Sequence, residues 1–149
     1  MKLFPTSVAT FLGLVALTTN LAAAWVPSGR TAVAAMPRLA GQNARTLELS
    51  AQLAYEEVDR QSNGRITGRR WSPLAGQPVV FTMYPSTGVE IAPRNGPAIT
   101  DRSGWARTGW EVPRFNRYRS FAYRARFDGA VVRGVRLSPV SRSERIYIQ

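Results

Sequence analysis

The residues best suited to chemistry in this chain are arginines interleaved with aromatic rings between positions 114 and 126. They are Arg114, Phe115, Arg117, Tyr118 and Arg119, followed by Arg124 and Arg126. Guanidinium groups form paired hydrogen bonds with phosphate, sulfate or carboxylate, and exposed rings stack on bases or sugars. The pattern predicts a ligand contact formed by Arg114, Arg117, Tyr118, Arg119, Arg124 and Arg126. The alternative is that Phe115 and Tyr118 anchor a loop to the core and the arginines only solvate it.

Catalytic machinery is sparse by comparison. Histidine and cysteine are absent, so nucleophile–imidazole dyads, disulfides and the usual zinc sites cannot be built. Glu56 and Glu57 are adjacent, but neighbours on a strand point to opposite faces. The other acidic residues considered are scattered along the chain: Glu90, Asp101, Glu111 and Asp128. With no glycine-rich phosphate loop either, we expect a protein without enzyme activity, cofactor or bound metal.

The charge of the chain is strongly positive and is carried by arginine. Lysine and arginine together number 20 against 9 acidic residues, and the single lysine is Lys2. The remaining 19 arginines leave a net charge of +10 after position 24. Such a balance favours contact with anionic polymers or surfaces through long-range attraction. Arginine without lysine is equally typical of a coding bias in the genome.

The N-terminus has the order of a secretory signal peptide. Lys2 precedes an apolar stretch from Leu3 to Thr19, and Ala22, Ala23 and Ala24 supply the small residues that signal peptidase reads. We therefore expect a signal at 1–24, with an uncleaved anchor as the alternative, and no membrane span after cleavage. Residues 25–45 mix Ala, Gly, Pro and Arg without a sustained period, which predicts a linker or loose N-terminal arm that contains at most a short strand near Thr31–Ala35.

Downstream of position 45 the chain alternates apolar and polar residues with a period of 2, which is typical of half-buried strands. The clearest segment places Phe121, Tyr123, Ala125 and Phe127 inward. This segment is predicted as a strand at Ser120–Phe127, and the other main strands are predicted at Thr46–Tyr55, Val79–Tyr84, Trp105–Val112 and Glu144–Ile148. A returning strand at 65–71 is expected to use Ile66 and Trp71 as apolar anchors. About seven short antiparallel strands between turns predict an all-β protein with a β-sandwich.

A tight turn interrupts this pattern in the middle of the domain. Asp101 and Ser103 can bond backbone N–H groups through their side chains, and Gly104 can take a positive φ. Between apolar segments these residues predict a reversal that joins two antiparallel strands as a hairpin. One carboxylate among hydroxyls offers too few oxygens for calcium.

Three segments in order resemble the bacterial immunoglobulin-like domains of surface adhesins and secreted multidomain proteins. They are Gly76–Phe81, Thr100–Ala106 and Tyr123–Gly129, which follow the layout G-x-P-V-x-F, T-D-x-x-G-x-A and Y-x-A-x-F-x-G. Transthyretin-like modules share much of this layout. The resemblance spans 46–149 and implies an immunoglobulin-like β-sandwich that serves as a binding or structural module, with no catalytic residue carried over.

Two functions from different classes follow from these observations. The first, which the sequence favours, is an exported interaction or structural module that binds a protein or a component of the cell envelope. The second is an arginine-mediated binder of anionic polymer, such as an acidic glycan, a teichoic-type polymer or nucleic acid. Either function places the protein at the cell surface, in the envelope or in the extracellular space.

Overall fold

The computed structural model describes residues 24–41, 46–85, 96–111 and 120–148. These residues form an all-β structure with mostly antiparallel sheets and no helix. Nothing in these ranges is a helix long and apolar enough to cross a membrane. The predicted signal at 1–24 falls outside the described residues up to position 23.

Eleven strands make up the described part of the chain. They are β1 (Ala24–Ala35), β2 (Leu39–Gly41), β3 (Thr46–Arg60), β4 (Ile66–Pro73), β5 (Pro78–Pro85), β6 (Ala98–Ile99), β7 (Trp105–Glu111), β8 (Ser120–Phe127), β9 (Ala130–Val132), β10 (Val135–Leu137) and β11 (Val140–Ile148). The strands predicted at 79–84 and 120–127 are confirmed to within a residue.

The first sheet is built around the 15-residue strand β3. One edge of β3 pairs with β1, while the other pairs with β7 along its first half and with β4 along its second half. The change of partner occurs at Leu53, whose N–H donates to the carbonyl of Gly104 at 2.8 Å and whose carbonyl accepts from Leu74 N–H at 3.0 Å. Because both groups of one strand residue point to the same side, β4 and β7 lie end to end along the same edge.

The second sheet has the order β2-β11-β8-β5-β6. Strand β8 lies at its centre and pairs antiparallel with β11 and β5. Strand β2 adds to the far edge and runs parallel to β11. Strands β9 and β10 form a separate hairpin. It lies beside β1, where Ser138 N–H donates to the carbonyl of Gly29 at 2.8 Å.

The core fills the space between the two sheets, as the alternation predicts. The first sheet contributes inward residues that include Leu49, Ala51 and Leu53, and the second contributes Phe81, Tyr123 and Phe127, all exposed by 1% or less. Contact across the sheets is direct, since the rings of Trp110 and Phe121 meet edge to face with centroids 5.3 Å apart. Such burial of aliphatic and aromatic side chains is the main stabilising term available to a chain without disulfides.

One hydroxyl fixes the position of the second sheet against the first. Tyr123 of β8 donates to the carbonyl oxygen of Pro37 at 2.6 Å, and the carbonyl oxygen of Ser50 on β3 lies 3.3 Å away. Pro37 belongs to the short segment that carries the chain from β1 in one sheet to β2 in the other. Burial raises the pKa of the Tyr123 hydroxyl to about 12, and the nearby carboxylate of Glu144 adds to the rise.

The turn at 101–104 has the expected chemistry but a different role from the one predicted. The Asp101 carboxylate accepts from the N–H groups of Ser103 at 2.8 Å and Trp105 at 3.0 Å, and Gly104 has a φ of +81°. However, β6 pairs with β5 of the second sheet, whereas β7 pairs with β3 of the first. The turn therefore carries the chain from one sheet to the other, and the prediction of a hairpin is wrong.

Two further expectations are corrected by the structure. The stretch from Ala24 to Ala35, expected as a loose arm with at most a short strand near 31–35, is one strand paired with β3, and Val33 lies in the core. A β-bulge between Pro27 and Thr31 accommodates the residues that interrupt the sequence pattern. On β4, Ile66 and Trp71 are 39% and 49% exposed rather than core anchors.

Candidate functional site

Two of the predicted contact residues, Arg124 and Arg126, lie on the outer face of the second sheet. The inward alternation of β8 buries Tyr123, Ala125 and Phe127, so the arginines between them point away from the core. The other four predicted residues, Arg114, Arg117, Tyr118 and Arg119, lie outside the described residues. The structure thus places the strand part of the predicted site and leaves its loop part as a prediction.

Register with the neighbouring strands surrounds Arg124 with hydroxyl groups. Arg124 is opposite Thr82 of β5 on one side and Ser143 of β11 on the other. Arg145 is exposed and lies two residues beyond Ser143 on the same face of β11, diagonal to Arg124. Diagonal neighbours in a sheet are about 7–8 Å apart at Cα, within reach of two long side chains. Arg124 and Arg145 can therefore contact the same extended ligand.

An aromatic ring supports the Arg124 side chain. Its guanidinium lies 4.6 Å from the centre of the Tyr84 ring on β5. A stacked guanidinium has less rotamer freedom to lose on binding and keeps N–H groups at its edge for a ligand. Arginine held in this way is better prepared for paired hydrogen bonds than an unsupported one.

Charge pairing differs between the three arginines of this face. Arg126 is neutralised locally, because its Nε lies 2.9 Å from a carboxylate oxygen of Asp128. For Arg124 and Arg145, no carboxylate within the described ranges comes within 4.0 Å. We call Arg124, Arg145, Thr82, Ser143 and Tyr84 the arginine face. It has positive charge that the described acidic residues do not balance at short range.

The arginine face adjoins a shallow depression at the edge of β11. It is lined by Arg38, Ala122, Ser143, Glu144 and Arg145. Arg38 Nε lies 3.7 Å from a Glu144 oxygen, so one of the two arginines here already has an acidic partner. Arg145, the other arginine, has no carboxylate partner among the described residues.

The outer face of the first sheet is, in contrast, arranged in ion pairs. Arg30 and Arg69 contact one carboxylate oxygen of Glu56 at 3.4 and 3.1 Å. The Glu56 side chain is 4% exposed, and hydrogen bonding from Ser28, with the two arginines, lowers its pKa despite burial. Arg107 contacts Asp101 at 2.9 Å. Much of the positive charge on this side is therefore matched within the fold.

A second buried carboxylate, Glu57, points to the opposite face of β3, as the alternation predicts. It accepts from Arg70 Nε at 2.8 Å and Ser72 Oγ at 2.6 Å, and it also contacts Arg133 in the β9–β10 turn. Burial by itself would raise the pKa of Glu57, but the hydrogen bonds from Ser72, Arg133 and Arg70 outweigh it and lower the pKa to about 2. Glu57 is therefore a fixed anion at neutral pH.

This cluster has a structural role in positioning the β9–β10 hairpin. Besides Glu57, the guanidinium of Arg133 donates to the carbonyl of Trp25 at 3.0 Å and to the hydroxyl of Tyr55 at 3.2 Å. Arg133 adopts a φ of +47°, which matches the tight two-residue turn that it forms with Gly134. A carboxylate held ionised far below neutral pH is poorly matched to general acid–base catalysis.

The arrangement is suited to binding by charge and hydrogen bonds. Within the described ranges, no three Asp or Glu side chains converge to hold a metal ion. Sequence reasoning missed Arg145 and Tyr84 as parts of the site. The alternation that places Ile146 inward was the available signal for Arg145, whereas the stacking of Tyr84 depends on the pairing of β5 with β8.

Comparison with known proteins identified no relative of this chain. Protein-family models, curated proteins and solved structures each gave no match to the chain. The resemblance to bacterial immunoglobulin-like domains therefore depends on the three sequence segments alone and stays a prediction.

Proposed function

We propose that this chain is an exported, non-catalytic binding module that holds an anionic polymer on its arginine face. The observation that carries the proposal is the charge of Arg124 and Arg145 on the outer face of the second sheet, which no carboxylate of the described residues balances within 4.0 Å. Two guanidinium groups with adjacent hydroxyls supply donors to a chain of repeated phosphates, sulfates or carboxylates. Arg114, Arg117 and Arg119 precede β8 in sequence and are proposed to extend the contact.

The contrast between the two outer faces favours a polymer over a packed protein contact. An interface core between proteins is depleted in charged residues, whereas the arginine face presents guanidinium and hydroxyl groups. The net charge of +10 after position 24 adds long-range attraction for any polyanion. An acidic glycan, a teichoic-type polymer and nucleic acid all carry repeated anionic groups that arginine can bind. A polymer of the cell envelope would also agree with the sequence-based prediction of a ligand in the envelope.

The order of the strands supports an immunoglobulin-like arrangement for the module. In such sandwiches, strands A, B and E share one sheet, and strands G, F and C share the other. Here β1, β3 and β7 are in one sheet, and β11, β8 and β5 are neighbours in the other. Strand β4 is then an insertion between the second and third strands of that scheme. A transthyretin-like topology is the alternative.

Export is proposed on the basis of the signal-like segment at 1–24. A charged residue, an apolar stretch and small residues follow one another in the order of a secretory signal. Placement at the cell surface or in the extracellular space would bring the arginine face into contact with acidic polymers there. Mass spectrometry of the exported protein would test this directly, because cleavage near Ala24 predicts a mature N-terminus at Trp25.

The polymer proposal is tested by removing the charges of Arg124 and Arg145 together. We expect the double variant Arg124→Gln/Arg145→Gln to elute from heparin at clearly lower salt than the unmodified protein. The matched control is Arg65→Gln/Arg102→Gln, which removes the same charge from two exposed turn residues that likewise have no carboxylate partner in the described ranges.

The two variants separate a site from general basicity. If both double variants lose heparin retention equally, net charge alone explains the binding and the arginine face is not a site. Retention by all proteins even at high salt would instead favour a packed contact and contradict the polymer proposal. Parallel columns of heparin, single-stranded DNA and a phosphate-rich polymer distinguish sulfated from phosphorylated ligands.

A further inference from the structure

The outer face of the first sheet carries two tryptophans along one edge of β3. Trp71 of β4 lies opposite Glu56, and Trp105 of β7 lies opposite Gln52. Since β4 and β7 lie end to end beside β3, the two rings share one line on the side away from the core. Four residues of strand separate their partners, which corresponds to about 13 Å. A short oligosaccharide spans such a distance.

Two small residues lie between the positions of the two tryptophans. Ala54 of β3 lies between Gln52 and Glu56, is 6% exposed, and pairs with Pro73 of β4. Trp71 is 49% exposed, although Ala54 and Glu56 beside it are buried. Trp105 is partly exposed, and the Arg107 guanidinium lies 5.4 Å from the centre of its ring. The face therefore carries two indole rings, with the small residues Ala54 and Pro73 between their positions.

A buried carboxylate oxygen next to Trp71 lacks a partner. Both arginine contacts of Glu56 go to Oε1, whereas Oε2 is buried and has no hydrogen-bond partner among the described residues. Hydrogen bonding from Ser28 lowers the pKa of Glu56, but it leaves Oε2 without a partner among the described residues. A buried acceptor left unpaired is costly, so a ligand donor that completes it gains affinity.

Arg30 is the side chain most readily displaced from this carboxylate. Its contact with Glu56 is long, at 3.4 Å, and its side chain is 66% exposed. It sits at the β-bulge of β1, across β3 from Trp71. A hydroxyl group that moves Arg30 aside can donate to Glu56 while the ring that carries it stays over Trp71. Arg69, at 3.1 Å, remains to neutralise the carboxylate.

We propose that this outer face is a platform for a linear, uncharged polysaccharide. The C–H groups of a sugar ring form an apolar face that lies on the electron-rich face of an indole, as on Trp71 and Trp105. Sugar hydroxyls can donate to Glu56 and accept from Gln52 and Arg69. An acidic polymer is disfavoured here because Glu56 would repel it and the arginines already have acidic partners. This proposal does not depend on the arginine face.

The test is depletion of the full protein from solution by insoluble neutral polysaccharide, with cellulose and chitin particles as probes. We expect binding to at least one of them that persists at high salt. Replacing Trp71 by Ala should weaken it about tenfold, which is equivalent to about 1.4 kcal/mol, because the ring on which the sugar lies is removed. Trp105→Ala should weaken it as well, and Trp71→Phe should retain part of the affinity.

The control variant is Ile99→Ala, which removes an exposed apolar side chain from β6 in the other sheet, where Ile99 is 61% exposed. It should bind both particles as the unmodified protein does. Circular dichroism of each variant separates lost binding from lost folding. The proposal is overturned if neither particle binds the protein, if Trp71→Ala binds unchanged, or if added salt abolishes binding. Because Arg124→Gln/Arg145→Gln should leave this binding intact, failure of either proposal is recognised separately.

Discussion

The hydroxyl of Tyr123 gives a quantitative test of how the two sheets are joined. Replacing Tyr123 by Phe keeps the ring in the core but removes the hydroxyl that donates to the Pro37 carbonyl oxygen at 2.6 Å. The carbonyl oxygens of Pro37 and Ser50 then both lose this donor. A lost neutral hydrogen bond with partly unsatisfied acceptors costs about 1.5 kcal/mol. For a domain of this size we expect a fall in Tm of about 5 °C at neutral pH.

The free energy of unfolding of Tyr123→Phe should also depend on pH differently from that of the unmodified protein. The pKa of Tyr123 is about 12 in the folded protein against 10.0 for an unburied tyrosine. Its stabilising contribution is therefore complete below pH 10 and is lost as the pH rises through 12, because the unfolded chain releases the proton first. The loss is on the order of 2 kcal/mol. Tyr123→Phe cannot undergo it, so the stability gap between the two proteins should close above pH 10.

Urea denaturation of both proteins from pH 7 to pH 12 provides the measurement. All other titrating groups are common to the pair, so their contributions cancel in the difference. A constant gap across this range would show that the Tyr123 hydroxyl is not buried between the sheets. A variant as stable as the unmodified protein at neutral pH would refute the hydrogen bond to Pro37.

Two other perturbations have expected outcomes that depend on local geometry. Gly104→Ala should destabilise the fold by more than about 2 kcal/mol, since a Cβ at φ +81° would lie 2.4 Å from the Leu53 carbonyl oxygen. Gly64 also has a positive φ, but a Cβ there would meet open space, so Gly64→Ala should cost only about 1 kcal/mol. Thermal denaturation of both variants measures the difference. The pKa of Glu57 is lowered from 4.5 to about 2, so stability present above pH 4.5 should be lost as the pH falls towards 2. Acid titration of Glu57→Gln should lack that component, and an unchanged acid transition would contradict it.

The sequence predicts the strands that line the core and misses those whose pattern is interrupted. The alternation from Phe121 to Phe127 predicts both the strand and its buried face, because one face packs on the core and the other meets water. The same pattern does not predict strand β1, because Pro27 and Gly29 interrupt its alternation of apolar and polar residues. A bulge absorbs that break only once β3 is in place to pair with it.

Local turn chemistry could not reveal which strands pair. Asp101 and Gly104 predict a tight turn correctly, yet the same residues serve a hairpin or a crossing between sheets. The residue type of Trp71 predicts a core anchor, but within the described residues β4 pairs with β3 alone, and Trp71 is 49% exposed. Partner choice depends on contacts distant in sequence, which a local pattern does not contain.

The candidate site was predictable in part for the same reason. Alternation places Arg124 and Arg126 outward, and this is confirmed by their positions on β8. The two arginines differ in the side chains that they contact, since Arg126 forms an ion pair with Asp128 and Arg124 stacks on Tyr84. The alternation does not predict this difference. The buried positions of Glu56 and Glu57 could not be anticipated, because acidic residues are rarely buried unless paired, and their arginine partners come from other strands.

The central proposal, an anionic polymer held by the arginine face, is tested most directly by the salt dependence of binding to single-stranded DNA. The logarithm of the affinity should fall linearly with the logarithm of salt concentration, and Arg124→Gln/Arg145→Gln should make that slope shallower by about 1.4, or 0.7 for each lost contact. The control Arg65→Gln/Arg102→Gln should leave the slope as it is. An equal slope for the unmodified protein and the Arg124→Gln/Arg145→Gln variant would contradict the proposal.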